Sequence, residues 1–330
     1  GIEVAIIPSE VLAGIQFDYF NRINLISNWL DKYNIDVIFA NTILCFWGID
    51  VAEKLGLSSV WIIHESETPF SHISEWGEVA KNAAKACLGH AYQVVFVSEA
   101  TKNIYQPYAL KQNYSVIYNG FDDELMSARV PYTREHARAK LNLSDNEVYA
   151  IIVGTVCERK GQIDLIEAIG LLEEKAVAGA RFAVIGDRKS DYSDNLQEAY
   201  KQLPVERQNR IDIIPETRDV GLYYAAADIF VCCSRIESFP RVIQEAMHCG
   251  LAIVTTPVFG IAEQVKDEVS ALFYEPSDVE ELTIKLDKII VDKAQRNSLV
   301  NGAKYHLKRL PNYESMVKSY SKLIQESTFL

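Results

Sequence analysis

The chain has 330 residues, enough for two domains that each bury a core. Apolar residues make up 48% and charged residues 24%; the net charge of −12 argues against nucleic acid as a main partner and against a broad cationic membrane-binding face. No apolar run approaches the roughly 18 residues of a membrane span, and no secretory signal is visible.

Strand-like apolar runs alternate with helix-length amphipathic segments, the pattern of parallel sheets covered by helices. In the first half, strands are predicted at 3–7, 36–40, 59–63, 93–97 and 115–117, with helices at 17–32, 48–55, 74–88 and 99–105. The stretch 119–145 is polar and irregular and carries Asn-Gly, Asp-Asp and Val-Pro turn signals. The N-terminal domain is therefore set at 1–127, with a linker at 128–147. The second half predicts strands at 149–153, 181–185, 211–214, 229–233, 252–255 and 271–274. Helices are predicted at 163–174, 193–202, 220–226 and 242–249, all within a C-terminal domain over 148–310. A last amphipathic helix at 313–325, within a tail of 311–330, is a candidate to pack back on the N-terminal domain. The first sheet is small, and the chain enters its first strand almost directly from Gly1, so a preceding segment is expected to be missing.

Cys45, Cys87, Cys157, Cys232, Cys233 and Cys249 lie mostly in apolar stretches without metal-ligand spacing. They read as reduced, mostly buried thiols of a cytoplasmic protein. Asp122-Asp123 lacks the spacing of an Asp-x-Asp metal site and reads as a turn.

Two clusters carry chemistry. An apolar run at 228–233 ends in a polar turn holding Glu237, and the helix predicted from Val242 carries Glu245 about two helical turns down. Ligands of open α/β sheets bind at the carboxyl ends of the strands, and the first amides of a helix favour an anion there. Two carboxylates beside such an anion site suit a diphosphate that carries hydroxyls, as a nucleotide sugar does. Taken alone, the pair is more often two solvated glutamates. The second cluster is the loop Gly154 to Gln162, where Gly154 and Gly161 permit tight turns and Lys160 and Arg159 offer cations to a diphosphate. The plainer reading there is a basic cap on a surface turn.

These segments, in this order, resemble the retaining family 4 glycosyltransferases. Trp61-Ile-Ile-His64-Glu, Val95-Phe-Val-Ser98-Glu and Val116-Ile-Tyr-Asn119-Gly120-Phe-Asp122 resemble its first-domain signatures. Gly154 to Gln162, Val184-Ile-Gly186, Ala227-Asp228-Ile-Phe-Val and Cys233-Ser-Arg-Ile-Glu237 follow in register. Glu237 to Glu245 forms the family's E-x7-E element, followed by Ala246-Met-His-Cys-Gly250 and then Phe259-Gly260-Ile-Ala-Glu263. The resemblance covers nearly the whole chain. It implies the GT-B fold, two Rossmann-like doubly wound parallel-sheet α/β domains facing a cleft.

The resemblance also implies roles. The donor is a UDP- or GDP-linked sugar and the acceptor a hydroxyl on a glycan, a lipid-linked sugar or a small molecule, with no metal or other cofactor. His64, Lys160 and Glu237 are the catalytic candidates. Gly154, Thr155, Arg159 and Lys160 would serve the diphosphate, with Ser238 and the amides of Phe239, Arg241 and Val242 beside Glu237. Glu245 would hold the ribose, and Ile213 and Ile214 would pack on the base. Three positions depart from the pattern. Thr155 stands where the family commonly has arginine, leaving Arg159, Arg241 or simply fewer charges to hold the diphosphate. Ser9 to Gly14 lacks the family's glycine-rich loop, which bears on acceptor recognition, and Pro240-Arg241 stands where many members have glycine. The alternatives are a non-catalytic nucleotide-sugar-binding module, which would bind without transfer, and an epimerase, which would convert its donor without any acceptor. A phosphorylase would need a pyridoxal lysine motif that is not found, and a plain interaction scaffold would bind no nucleotide.

Overall fold

The computed structural model describes residues 18–328. The strand expected at 3–7 and the segment 9–14 lie outside the described residues. The chain divides into two compact units: one takes in residues through Asn119 together with the segment from Glu314, and the other is Gly120–Tyr313.

In the first unit, β1 (Val37–Asn41), β2 (Ser58–Ile63), β3 (Gln93–Phe96) and β4 (Tyr114–Val116) form a parallel sheet in that order. Side chains alternate across a strand, and here both faces are covered. Trp61 and Ile63 of β2 join Val94 and Phe96 of β3 in a core closed by the helices Tyr19–Leu30, Trp47–Leu55 and Gly77–His90. Val60 and Val95 point the other way, where Leu323 and Tyr320 of the C-terminal helix Tyr313–Thr328 cover them.

In the second unit, β5 (Val148–Val153), β6 (Ala180–Asp187), β7 (Ile211–Pro215), β8 (Ile229–Cys232), β9 (Ala252–Thr255) and β10 (Leu272–Phe273) pair in parallel in the order β7-β6-β5-β8-β9-β10. The chain builds outward from β5 through β7, then crosses back and builds the other way from β8. The reversal lies between β5 and β8, the switch point at which open α/β sheets leave a crevice outside their strand ends. Ala150 and Ile152 of β5 face one apolar core; Tyr149 and Ile151 face the other.

The segment 128–147 is folded into the second unit and is not a linker. It contains the end of the helix Asp123–Arg129 and the whole of Arg134–Lys140. Asp122, read as part of a turn, caps the first of these by accepting the Leu125 amide at 2.8 Å; Thr133 caps the second by accepting the His136 amide at 3.3 Å. Arg138 is 2% exposed and donates to the Ala226 carbonyl at 2.9 Å and the Glu147 carbonyl at 2.6 Å, with Asp228 Oδ2 at 3.3 Å. Beyond β10, the helices Val279–Val291 and Lys293–Leu307 fill a stretch given no element from sequence.

Candidate functional site

The loop after β5 and the turn after β8 converge at the switch point. Gly161 adopts φ +66° and ends a short turn, Glu158–Lys160. A side chain at Gly161 would run into the Cys233 carbonyl, so glycine lets the two segments close together. Across this contact Lys160 forms an ion pair with Glu237, and Arg159 Nη1 donates to the same Glu237 oxygen at 2.9 Å and to the Ile236 carbonyl at 3.0 Å. Ser234 Oγ lies 3.3 Å from that oxygen. Lys160, Arg159 and Glu237, expected from separate motifs, thus form one cluster whose charges sum to +1. Glu237 itself is only 8% exposed.

Residues that sequence reasoning did not assign hold this cluster. Gln162 donates to the Thr155 carbonyl at 3.0 Å and accepts the Cys157 amide at 3.3 Å, clamping the loop. The Arg235 amide donates to the Arg159 carbonyl at 2.8 Å, and its guanidinium reaches Asp164 at 2.7 Å. Burial pushes the Asp164 carboxyl up and the adjacent Arg235 charge opposes that shift. The Gly260 amide donates to the Glu237 carbonyl at 3.3 Å, and Gln264 donates to the Pro240 carbonyl at 3.1 Å.

The helix Arg241–Cys249 starts beside Glu237 with Pro240 as its N-cap and no side-chain cap. Proline brings no side-chain acceptor, so the first-turn amides of Arg241 and Val242 are available to an anion. Arg241 is exposed and Val242 half-buried, while Ser238 is half-buried and Phe239 buried in the preceding turn. Glu245 stands four residues after Arg241, the first residue of the helix, so it lies about one turn inside it and not the two turns expected. Glu245 Oε2 accepts from the Tyr224 hydroxyl at 3.0 Å, and Arg129 lies 4.0 Å from its other oxygen.

A concavity of about 510 Å³ opens at the ends of β5, β6 and β7, lined by Gly154, Thr155, Gly186, Glu216, Thr217 and Val220 among others. Thr155 Oγ1 lies 3.3 Å from Glu216 Oε1. Ile213 and Ile214 do not line this concavity: adjacent on a strand, they point to opposite faces and pack into the two cores of the unit.

His64 belongs to the first unit, just past the end of β2, with Nε2 2.8 Å from Asn41 Oδ1. Glu65 accepts the amides of Ile43 and His64, each at 3.0 Å, and so ties the ends of β1 and β2. Burial lowers the His64 pKa, and the Glu65 charge partly opposes this, which favours a neutral imidazole.

The sequence pattern described as "Glycosyl transferases group 1" matches residues 133–306, more than half of the chain. The chain belongs to this family. The pattern described as "Glycosyltransferase Family 4" matches residues 1–125 of the same glycosyltransferase. It is 25% identical to an uncharacterized glycosyltransferase of Methanocaldococcus jannaschii, over 88% of this chain and 74% of that one. It is 26% identical to the alpha-monoglucosyldiacylglycerol synthase of Acholeplasma laidlawii, over 83% of this chain and 71% of that one. Among solved structures, HepE of Anabaena in complex with UDP superposes with a TM-score of 0.79 at 20% identity, over 94% of this chain and 83% of that one. WaaG, a glycosyltransferase involved in lipopolysaccharide biosynthesis, gives 0.71 at 18%, over 96% and 85%. The fold of this glycosyltransferase is GT-B, with two parallel-sheet α/β domains. Among the described residues, no helix is long and apolar enough to cross a membrane.

Proposed function

We propose that this glycosyltransferase transfers a sugar from a uridine- or guanosine-diphosphate donor to a hydroxyl acceptor with retained anomeric configuration. The observation that carries the reading is the shared grip of Lys160 and Arg159 on Glu237, at the switch point and beside a helix start that no side chain caps. A diphosphate arriving there meets two cations, a helix N-terminus and an excess of positive charge. As the bond from the anomeric carbon to the diphosphate breaks, negative charge develops on the leaving phosphate. Lys160 and the first-turn amides stabilise it without a metal in this step. Glu237, released from its cations, accepts hydroxyls of the sugar, and Glu245 accepts those of the ribose. The base occupies the concavity beside Thr217 and Val220. The role of His64 beside the sugar rests on its place in the family pattern. The leaving phosphate assists removal of the acceptor proton.

The solved complexes of HepE with UDP and with UDP-glucose support the donor class. The names of two relatives, an alpha-monoglucosyldiacylglycerol synthase and a lipopolysaccharide glucosyltransferase, support a role in glycan or glycolipid synthesis; a cytoplasmic place with at most peripheral contact with lipid belongs to the same proposal. The test is a thermal-shift screen of UDP, GDP and their sugars, followed by donor turnover in Lys160→Ala. A ligand that binds only the folded state raises its stability with concentration. Loss of one such donor group is expected to lower kcat about 10²- to 10³-fold. Near-normal turnover in Lys160→Ala overturns the assignment, and nucleotide binding without transfer or donor hydrolysis in the unaltered enzyme turns it into a binding module.

A further inference from the structure

A second cluster lies in the first unit and is independent of the donor site. Among the described residues, Asp50, Cys87 and His90 offer three ligand atoms that all lie within 4.8 Å of one another. Cys87 and His90 stand three positions apart on the helix Gly77–His90, so they share one face. Asp50 comes from the packed neighbouring helix Trp47–Leu55. Cys87 Sγ is 3.1 Å and His90 Nδ1 is 3.3 Å from the same oxygen, Asp50 Oδ1. The other oxygen, Oδ2, accepts from the Tyr19 hydroxyl at 2.6 Å.

We propose that Asp50, Cys87 and His90 form a binding site for a divalent cation of the zinc class. Three arguments carry it. The ligand set is mixed thiolate, imidazole and carboxylate, the donors that zinc-class ions take, with bonds of about 2.3 Å to sulfur and about 2.0–2.2 Å to nitrogen and oxygen. In a tetrahedral site such bonds put the nitrogen about 3.3–3.5 Å and the sulfur about 3.5–3.7 Å from the carboxylate oxygen, so the His90 separation already fits and the Cys87 separation has to open by about half an ångström. Next, the carboxylate is already oriented: the Tyr19 hydroxyl holds Oδ2 and leaves Oδ1 aimed between the other two ligands, the outer-shell support that metal ligands require. Finally, there is an entry path. Asp50 and His90 line a concavity of about 730 Å³ that also holds Asn24, Lys54 and Asn82, and His90 is 40% exposed there. Cys87 closes the inner side, fully buried.

Without a metal, the trio is a hydrogen-bonded knot in which the thiol donates to the carboxylate. Burial, followed by the Asp50 charge, holds the Cys87 thiol well above its usual pKa. A cation binding here takes the place of that proton: the S–H bond breaks, one proton leaves to solvent, and the sulfur's electron pair goes to the metal. With three protein ligands, the fourth position faces the concavity and takes water or a small anion.

The experiment uses the full, metal-free chain titrated with Co²⁺, followed by competition with Zn²⁺. One cobalt per chain is expected, with a thiolate-to-cobalt charge-transfer band in the near ultraviolet and the strong visible absorption of a tetrahedral ion, both displaced by zinc. The other cysteines are free thiols and could give a band of their own, so the variants decide. Cys87→Ser should abolish the band. His90→Gln, at an exposed position that leaves the fold intact, should weaken cobalt binding at least tenfold. No band at saturating cobalt, or an unchanged titration in His90→Gln, overturns the proposal. Should Cys87→Ser fail to fold, His90→Gln decides alone.

Discussion

Glu245 is aimed by a single buried hydroxyl. Tyr224 is 1% exposed, and burial together with the charge of Glu245 holds its phenol well above the usual pKa, so it stays a donor to the carboxylate. Arg129 is more distant and half exposed, so it cannot replace that bond. If Glu245 accepts the ribose hydroxyls, Tyr224→Phe frees the carboxylate to turn away while leaving the core volume nearly unchanged. The donor KM should then rise about tenfold, equivalent to about 1.4 kcal/mol, with kcat little changed; a fall in kcat at constant KM would show that the hydroxyl acts on the chemical step instead. At this scale the sequence was legible where motif and neighbour are local. Lys160 and Glu237 each follow a strand, and strand ends in such a sheet face one edge. Tyr224 was not legible, because it sits in a short apolar helix, Val220–Ala226, and reads as core. Nor was Asp50 beside Cys87, since 37 residues separate them and only the packing of two helices joins them.

Apolar burial did not by itself make an element legible: the helix Val279–Val291 buries Leu282, Leu286, Ile289 and Ile290, yet its stretch was given no element from sequence. β9 and the helices Glu99–Tyr105 and Val220–Ala226 have the bounds expected from sequence. The helix Arg134–Lys140 was read as linker because its stretch is polar and carries turn signals, and the face it buries is small, Ala137 and Arg138. A guanidinium can be buried only where carbonyls and a carboxylate meet its donors, as the Ala226 and Glu147 carbonyls and Asp228 do here. Asp228 in turn accepts the Tyr149 amide at 2.9 Å, so the helix is fastened to the starts of β5 and β8. Arg138→Ala removes one partner of a buried pair and should destabilise the second unit by about 3–5 kcal/mol, read from the denaturant midpoint. The same variant should open 128–147 to protease; a true linker would be cut equally well before the change, and would show no loss of stability after it.

The first unit takes in described residues on both sides of the second in sequence, 18–119 and 314–328, with Gly120–Tyr313 between. That order follows from one face of the first sheet: Val60 and Val95 are apolar on the side away from the main core, and the C-terminal helix supplies their cover with Leu323 and Tyr320. The described part of the first unit therefore draws cover from a helix that follows the second unit in sequence, whereas the second carries its own two apolar cores within a continuous stretch. The tail helix was legible from its 3.6-residue period, but its partner was not, because a strand buried on both faces reads as a uniform apolar run and names no neighbour. Leu323→Ala should cost about 2–3 kcal/mol, the low end for a leucine at a core edge, and the loss should fall on the first unit. Calorimetry can separate the two, because a bound nucleotide diphosphate raises only the transition of the unit that holds it. The transition insensitive to nucleotide should drop in Leu323→Ala while the nucleotide-sensitive one stays in place. An equal fall in both would mean that the tail helix stabilises the second unit as well, and that the two do not melt as separate bodies.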